Sequence, residues 1–243
     1  MLEQFAHTWR VLQAEPATWL AVTLLAYAAG MWGYKKSGYK PIFTPLLTAI
    51  ILVVGILLAT RTGYNTYFEG GRYINFLLGP ATVALAVPLY EQRQRLAKLA
   101  VPLFCGLVAG GSVAIISAVL IAGALGASTE TMVSLAPKSV TVPIAVSISE
   151  HLGGIAPLTA ALVVITGVVG ALLCKPIFAL MGEKSDATRG FSVGLAAHGL
   201  GTSAAFQINR DTGAFSGLAM GLNGLFTAFA APVLLPILLK IFE

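Results

Sequence analysis

The chain has 243 residues, of which 57% are hydrophobic and 10% charged, against about 25% charged in a soluble domain. That balance is one of an integral membrane protein and excludes an ordinary soluble domain. The formal net charge of +5 is not a nucleic-acid signal, because the fifteen Lys and Arg residues fall mostly in short clusters between apolar runs, as topology signals do. At about 20 residues per span there is room for six to eight crossings, so the expected fold class is an all-α polytopic membrane protein, one domain over residues 1–243. Cys105 and Cys174 both lie in apolar segments and give neither a disulfide framework nor metal-ligand spacing.

Residues 1–16 mix charges with Phe5, Trp9 and Leu12 on one helical face, the pattern of an interfacial helix and not of a secretory signal. Trp19–Tyr34 and Pro41–Thr60 read as the first two spans, separated by Lys35, Lys36 and Lys40. Arg61–Arg72 reads as a polar connection, followed by a third apolar segment, Tyr73–Tyr90, containing Pro80 and Pro88. After the basic Glu91–Lys98 comes an apolar run to Ala127, whose Gly106 and Gly110 form a small-residue packing face. Pro157–Met181 is a further span, Gly190–Phe206 follows, and Phe215–Phe242 is the last, with Gly217 and Gly221 as a second small-residue face. The positive-inside rule places the Lys35–Lys40 and Arg93–Lys98 loops in the cytoplasm and the N-terminus outside. It also favours a 132–150 segment that re-enters without crossing, since the Glu183–Arg189 loop then lies inside as well.

That segment contains the most informative stretch, Leu-Ala-Pro-Lys-Ser-Val-Thr-Val-Pro-Ile-Ala from Leu135 to Ala145. Pro137 and Pro143 each lack an N–H and crowd the preceding turn, so a helix entering at Met132 must break here. Broken backbone at membrane depth is tolerated only where protein or a water-filled cavity satisfies it. A polar surface loop is the competing reading. Lys138 costs about 2.5–3.5 kcal/mol at a bilayer centre and is either a functional charge or a lysine snorkelling to an interface. Leu78–Leu85 echoes Leu135–Val142 at an offset of 57, with Leu, Pro and Val coincident and Thr82 matching Ser139. This is either chance in a biased composition or an internal repeat of two proline-broken segments, as in secondary transporters. Half-helices starting in mid-membrane present free N–H groups and positive dipole ends that hold a small anion. Pro80, Thr82, Pro137, Lys138, Ser139, Thr141 and His198 are the binding residues this chemistry selects. His198 lies in a Gly- and Ala-rich island with Gly194, Gly199 and Gly201; it is either a titrating functional group or a satisfied core histidine. No phosphate loop, metal set or nucleophile-and-base pair can be assembled, so neither an enzyme nor a cofactor is expected.

Gly79–Tyr90, Leu135–Ala145 and the stretch around His198 together resemble the signature segments of the LrgB/CidB family, a resemblance that covers about residues 18–240. It implies an inner-membrane protein of the kind described as an antiholin-like regulator of murein hydrolases. The family is also similar to the C-terminal half of the plastidial glycolate/glycerate translocator, which implies transport of small carboxylates. A separate LrgA/CidA-like membrane protein and further copies of the chain are the partners to expect. The reading is therefore a carrier of glycolate, glycerate or pyruvate, with a lysis regulator acting by membrane assembly as the alternative.

Overall fold

Helix ends follow the punctuation of the sequence. The computed structural model describes residues 9, 11–38, 43, 45–77, 80, 86–91 and 93–242, and among them every regular element is a helix. Pro16 opens α1 (Pro16–Lys36) in the first turn, where its missing N–H costs nothing, and Lys35 and Lys36 oppose the negative dipole end at its close. Most of the expected interfacial helix over 1–16 lies outside the described residues, though 11–14 are helical.

The described residues fall into two units, Met1–Ala84 and Leu85–Glu243. In the first, α1 packs with α2 (Pro45–Thr60) and α3 (Tyr64–Phe76). The expectation of a polar connection over Arg61–Arg72 is overturned, since α3 is helical from Tyr64. The reason lies in its aromatic residues. Tyr64, Tyr67 and Phe68 recur at helical spacing, and Tyr67 meets the fully buried Trp19 of α1 edge to face at 6.1 Å while its hydroxyl bonds Thr23 Oγ1 at 3.2 Å.

The second unit begins with two short helices, α4 (Ala86–Glu91) and α5 (Arg93–Lys98). Three long helices follow: α6 (Ala100–Ala124), α9 (Ala156–Met181) and α11 (Arg210–Leu239), each long and apolar enough to cross a membrane. At 1.5 Å per residue they span about 37–45 Å, more than the roughly 30 Å of a hydrocarbon core. Their exposed side chains include Phe104, Val113 and Ile121 on α6, Ile165 and Leu173 on α9, and Leu225, Phe229 and Val233 on α11. Side chains of this kind belong against lipid, and the chain is a membrane protein.

Between the long helices lie two chain reversals. α7 (Thr129–Leu135) and α8 (Val142–His151) flank the first, and the end of α8 returns beside α7, with Ile155 N donating to Ser134 Oγ at 2.8 Å. α10 (Asp186–Phe206) contains the second, because Ala197 and His198 leave helical geometry inside it. Its two arms fold back on each other, so that Val193 packs with Ala204 and Ala205. Its two ends meet, since Asp186 Oδ1 accepts from Asn209 Nδ2 at 2.8 Å and from Thr212 Oγ1 at 2.9 Å. Residues 186–196 rise about 16 Å, half a hydrocarbon core.

The connectivity fixes where the hairpins enter. α6 ends where the first hairpin begins, α9 starts where that hairpin ends, and the second hairpin begins and ends at the far end of α9. The two hairpins therefore enter the bundle from opposite ends. α10 and α11 make the most extensive pairing of described helices. It depends on Gly194, where a Cβ would collide with the backbone carbonyl of Ser216. Gly106 and Gly110 meet Phe191 and Leu195 as a packing face should, whereas Gly217 is buried and Gly221 faces open space.

In a background lacking Cys105 and Cys174, Glu130→Cys should react with an impermeant thiol reagent in intact cells, and Lys184→Cys only after permeabilisation. Labelling of both from one side would contradict hairpins that open at opposite ends.

Candidate functional site

The first break follows its prolines. Pro137 is fully buried after the last turn of α7, and two tight turns follow, Lys138 N to Leu135 O at 3.1 Å and Val140 N to Pro137 O at 3.2 Å. α8 then starts from Thr141 as N-cap, with Pro143 in its first turn. The Thr141 hydroxyl makes no cap hydrogen bond, which leaves it available beside the helix N-terminus. Ser139 is buried. Lys138 donates from Nζ to Ala114 O at 3.2 Å, close to the middle of α6. One acceptor occupies one of its three N–H groups.

The second break has no proline. Ala197 (φ −131°, ψ 17°) and His198 (φ 41°, ψ −135°) turn the chain back, and φ of this sign is uncommon for any residue but glycine. His198 is held by its surroundings. Its ring is buried, Nε2 lies 3.0 Å from Val163 O, and Thr202 Oγ1 donates to its carbonyl at 2.8 Å. The ring can reach Val163 only because residue 167 is glycine, where a Cβ would lie 2.7 Å from His198 Cε1. Thr202 Oγ1 also bonds Ser216 Oγ of α11 at 2.9 Å.

Asn223 joins the two tips. Its Nδ2, buried near the middle of α11, donates to Leu195 O at 2.9 Å and to Ser139 O at 3.3 Å. Leu195 lies just before the second break and Ser139 within the first, where carbonyls lose helical N–H partners, and this carboxamide serves one from each hairpin. Val163 closes the opposite side, its side chain packed with Val140 and Ala145 while its carbonyl holds His198. The returning arms start along one stripe of α11. A Cβ at Gly199 would lie 3.8 Å from Met220 Sδ, and one at Gly224 would lie 2.9 Å from Ile144 Cδ1.

The structure thus brings Pro137, Lys138, Ser139, Thr141 and His198 into one region of the second unit. Pro80 is helical and exposed in the first unit, and Thr82 lies outside the described residues, as does most of the 78–85 echo. The observed partner of the Leu135–Ala145 break is the reversal at His198. Asn223 is the residue that sequence reasoning passed over. The available signal was a lone carboxamide in a 30-residue apolar helix, where a polar side chain is retained to bond another segment. Among the described residues no group of His, Cys, Asp and Glu is placed to hold a metal ion.

The LrgB-like family model matches residues 23–237. A protein of Bacillus subtilis, the uncharacterised YwbG, is 37% identical over 89% of this chain and 96% of its own length. The holin-like protein CidB of Staphylococcus epidermidis is 32% identical over 84% of this chain and 87% of its own. The antiholin-like protein LrgB of Bacillus cereus is 31% identical over 89% and 94%. No solved structure matches the chain.

Asn223→Ala strands two buried carbonyls, each worth about 1–3 kcal/mol when left unpaired, and should lower the melting temperature of the purified protein. Thr227→Val removes only a long 3.4 Å bond to Asn223 Oδ1 and should cost less. Equal melting of Asn223→Ala and wild type would show that the carboxamide does not hold the tips.

Proposed function

Because the chain belongs to the LrgB-like family and carries two broken helices whose tips meet at one side chain, we propose that it is a multi-pass inner-membrane carrier of small monocarboxylates of the glycolate, glycerate or pyruvate type. The observation that carries this reading is the meeting of two hairpins, entering from opposite ends, at Asn223. Carriers bind at such discontinuous helices near mid-membrane, where the N-termini of the returning arms attract anionic groups. Here those N-termini are Val142 of α8, beside the free Thr141 hydroxyl, and Gly199 of the second arm. Lys138 adds a full charge near the same tips, and Ser139 and His198 complete the polar set.

The order of one long helix and one hairpin over 100–151 and again over 156–206 supports an inverted repeat as the element that rocks during alternating access. In this reading the apolar segments of the first unit bring the total to six to eight membrane segments. No group with the geometry of an enzyme's nucleophile and base enters this reading.

A second reading is favoured by the names of the CidB and LrgB relatives, holin-like and antiholin-like, which back it more directly than they back transport. In it the chain is an antiholin-like regulator of murein hydrolase export. It acts by assembling in the membrane with further copies or with an LrgA/CidA-like protein. The small-residue face at Gly106 and Gly110 packs against Phe191 and Leu195 within the chain and does not separate the two readings.

Purified protein in liposomes separates the two. A carrier exchanges labelled carboxylate for internal carboxylate with saturation, competition by unlabelled acid and no leakage of trapped dye. Dye release without saturation or competition would replace the carrier with the assembly. In a carrier, Lys138→Ala should weaken carboxylate binding by about 2–5 kcal/mol, the cost of removing a charged partner from a dry site, and calorimetric titration should detect it. Exchange driven by a pH gradient should lose its pH dependence in His198→Gln; an unchanged profile would return His198 to a structural role.

A further inference from the structure

A cavity of about 540 Å³ lies in the second unit between the start of α6 and the outer arm of the second hairpin. Its polar side is formed by Lys98, Ser185 and Thr188, and its apolar wall by Leu103, Gly106 and Phe191. No acidic side chain lines it. The nearby carboxylates are otherwise engaged. Asp186 accepts from Asn209 and Thr212, and Glu183 Oε1 from the backbone N–H groups of Lys184 and Ser185.

The polar side carries unused donors. Among the described residues the Lys98 ammonium and the Thr188 hydroxyl have no hydrogen-bond or ion-pair partner. Ser185 Oγ accepts from Thr188 N, which leaves its own O–H to donate. Pro102, Gly106 and Ser192 are exposed although they belong to long helices of a membrane protein, so the cavity opens sideways along the helices as well as at their end. Its volume is in the range that holds ligands far larger than a three-carbon acid. It is thus shaped for a molecule with an anionic head and an apolar body.

We propose that this cavity is a binding site for one anionic phospholipid, its phosphodiester held by Lys98, Thr188 and Ser185 and its first acyl methylenes against Leu103, Gly106 and Phe191. Basic pockets between membrane helices recognise anionic headgroups in this way. The site is separate from the hairpin tips and is independent of what they bind. The occupied cavity bridges α6 and the outer arm of the second hairpin, so the lipid should stabilise that pairing.

The test is the melting temperature of the purified full-length protein in detergent, with phosphatidylglycerol, phosphatidylcholine or inorganic phosphate added. Phosphatidylglycerol should raise it, while phosphatidylcholine and phosphate should leave it near the starting value. Lys98→Gln with Thr188→Val should remove at least half of the phosphatidylglycerol shift, and Gly106→Leu, which fills space along the apolar wall without touching a charge, should do the same. Lys184→Gln, an exposed cation outside the cavity, should keep the full shift. Should the charge variant fold poorly, Gly106→Leu and retention of bound lipid in native mass spectrometry carry the test. The site is refuted if both cavity variants retain the wild-type shift, if free phosphate reproduces it, or if Lys184→Gln loses as much as the cavity variants.

Discussion

The constraint on which the second unit depends is that every backbone carbonyl released by a broken helix needs a donor where no water supplies one. Asn223 meets it for both breaks at once. One carboxamide on α11 reaches Leu195 O in the second hairpin and Ser139 O in the first, so the position of each tip is referred to the same atom. The surrounding polar side chains follow the same logic. Thr202 serves the carbonyl of His198, His198 serves that of Val163, and Ser134 takes the N–H of Ile155. Thr202 and Ser134 pair groups of the hairpins themselves, whereas His198 reaches a carbonyl of the long helix α9.

Much of this was legible in the residues. Prolines at 137 and 143 announce the first break, because a missing N–H and a ring clash act locally and need no knowledge of neighbours. The long apolar runs give α6, α9 and α11 to within a few residues. The second break was not legible, since Ala197 and His198 have no local reason to reverse. Their geometry is imposed from outside by Gly167, Val163 and Ser216, which are far away in sequence. The connection over 61–72 was misread for a related reason: its polar residues suggested a loop, while its aromatic stripe acquires meaning only against Trp19 of α1. Of the candidate site, the residues contributed by the proline break were identified and the tie that unites the tips was not. A single asparagine declares a need for partners without naming them.

The two hairpins differ in how their ends are secured. The second is closed at its base by the Asp186 carboxylate, which gathers Asn209 and Thr212, and by the guanidinium of Arg189 on the carbonyl of Glu183. The first is closed by Ser134 and by the hydroxyl pair Thr159 and Ser149, at 2.7 Å. The second base is thus closed through a carboxylate and a guanidinium and the first through neutral hydroxyls, with Glu130, Glu150 and His151 exposed beside it. Both bases are held by several bonds, and the tips are held by the shared carboxamide together with the bonds of Lys138 to Ala114 O and of His198 to Val163 O.

The distance in sequence between Leu195 and Asn223 also bears on how the protein is made. A ribosome delivers the second hairpin before the helix that satisfies its tip, with 28 residues separating acceptor and donor. Until α11 emerges, the reversal at His198 has no carboxamide to complete it and cannot rest at full depth in lipid without exposing a bare carbonyl. The nascent hairpin therefore has to wait in the insertion machinery or at the water boundary, and it enters only when α11 arrives as its companion. A fold whose interior is completed by α11 is assembled only once that helix arrives, and truncation within α11 leaves both hairpins without their common anchor.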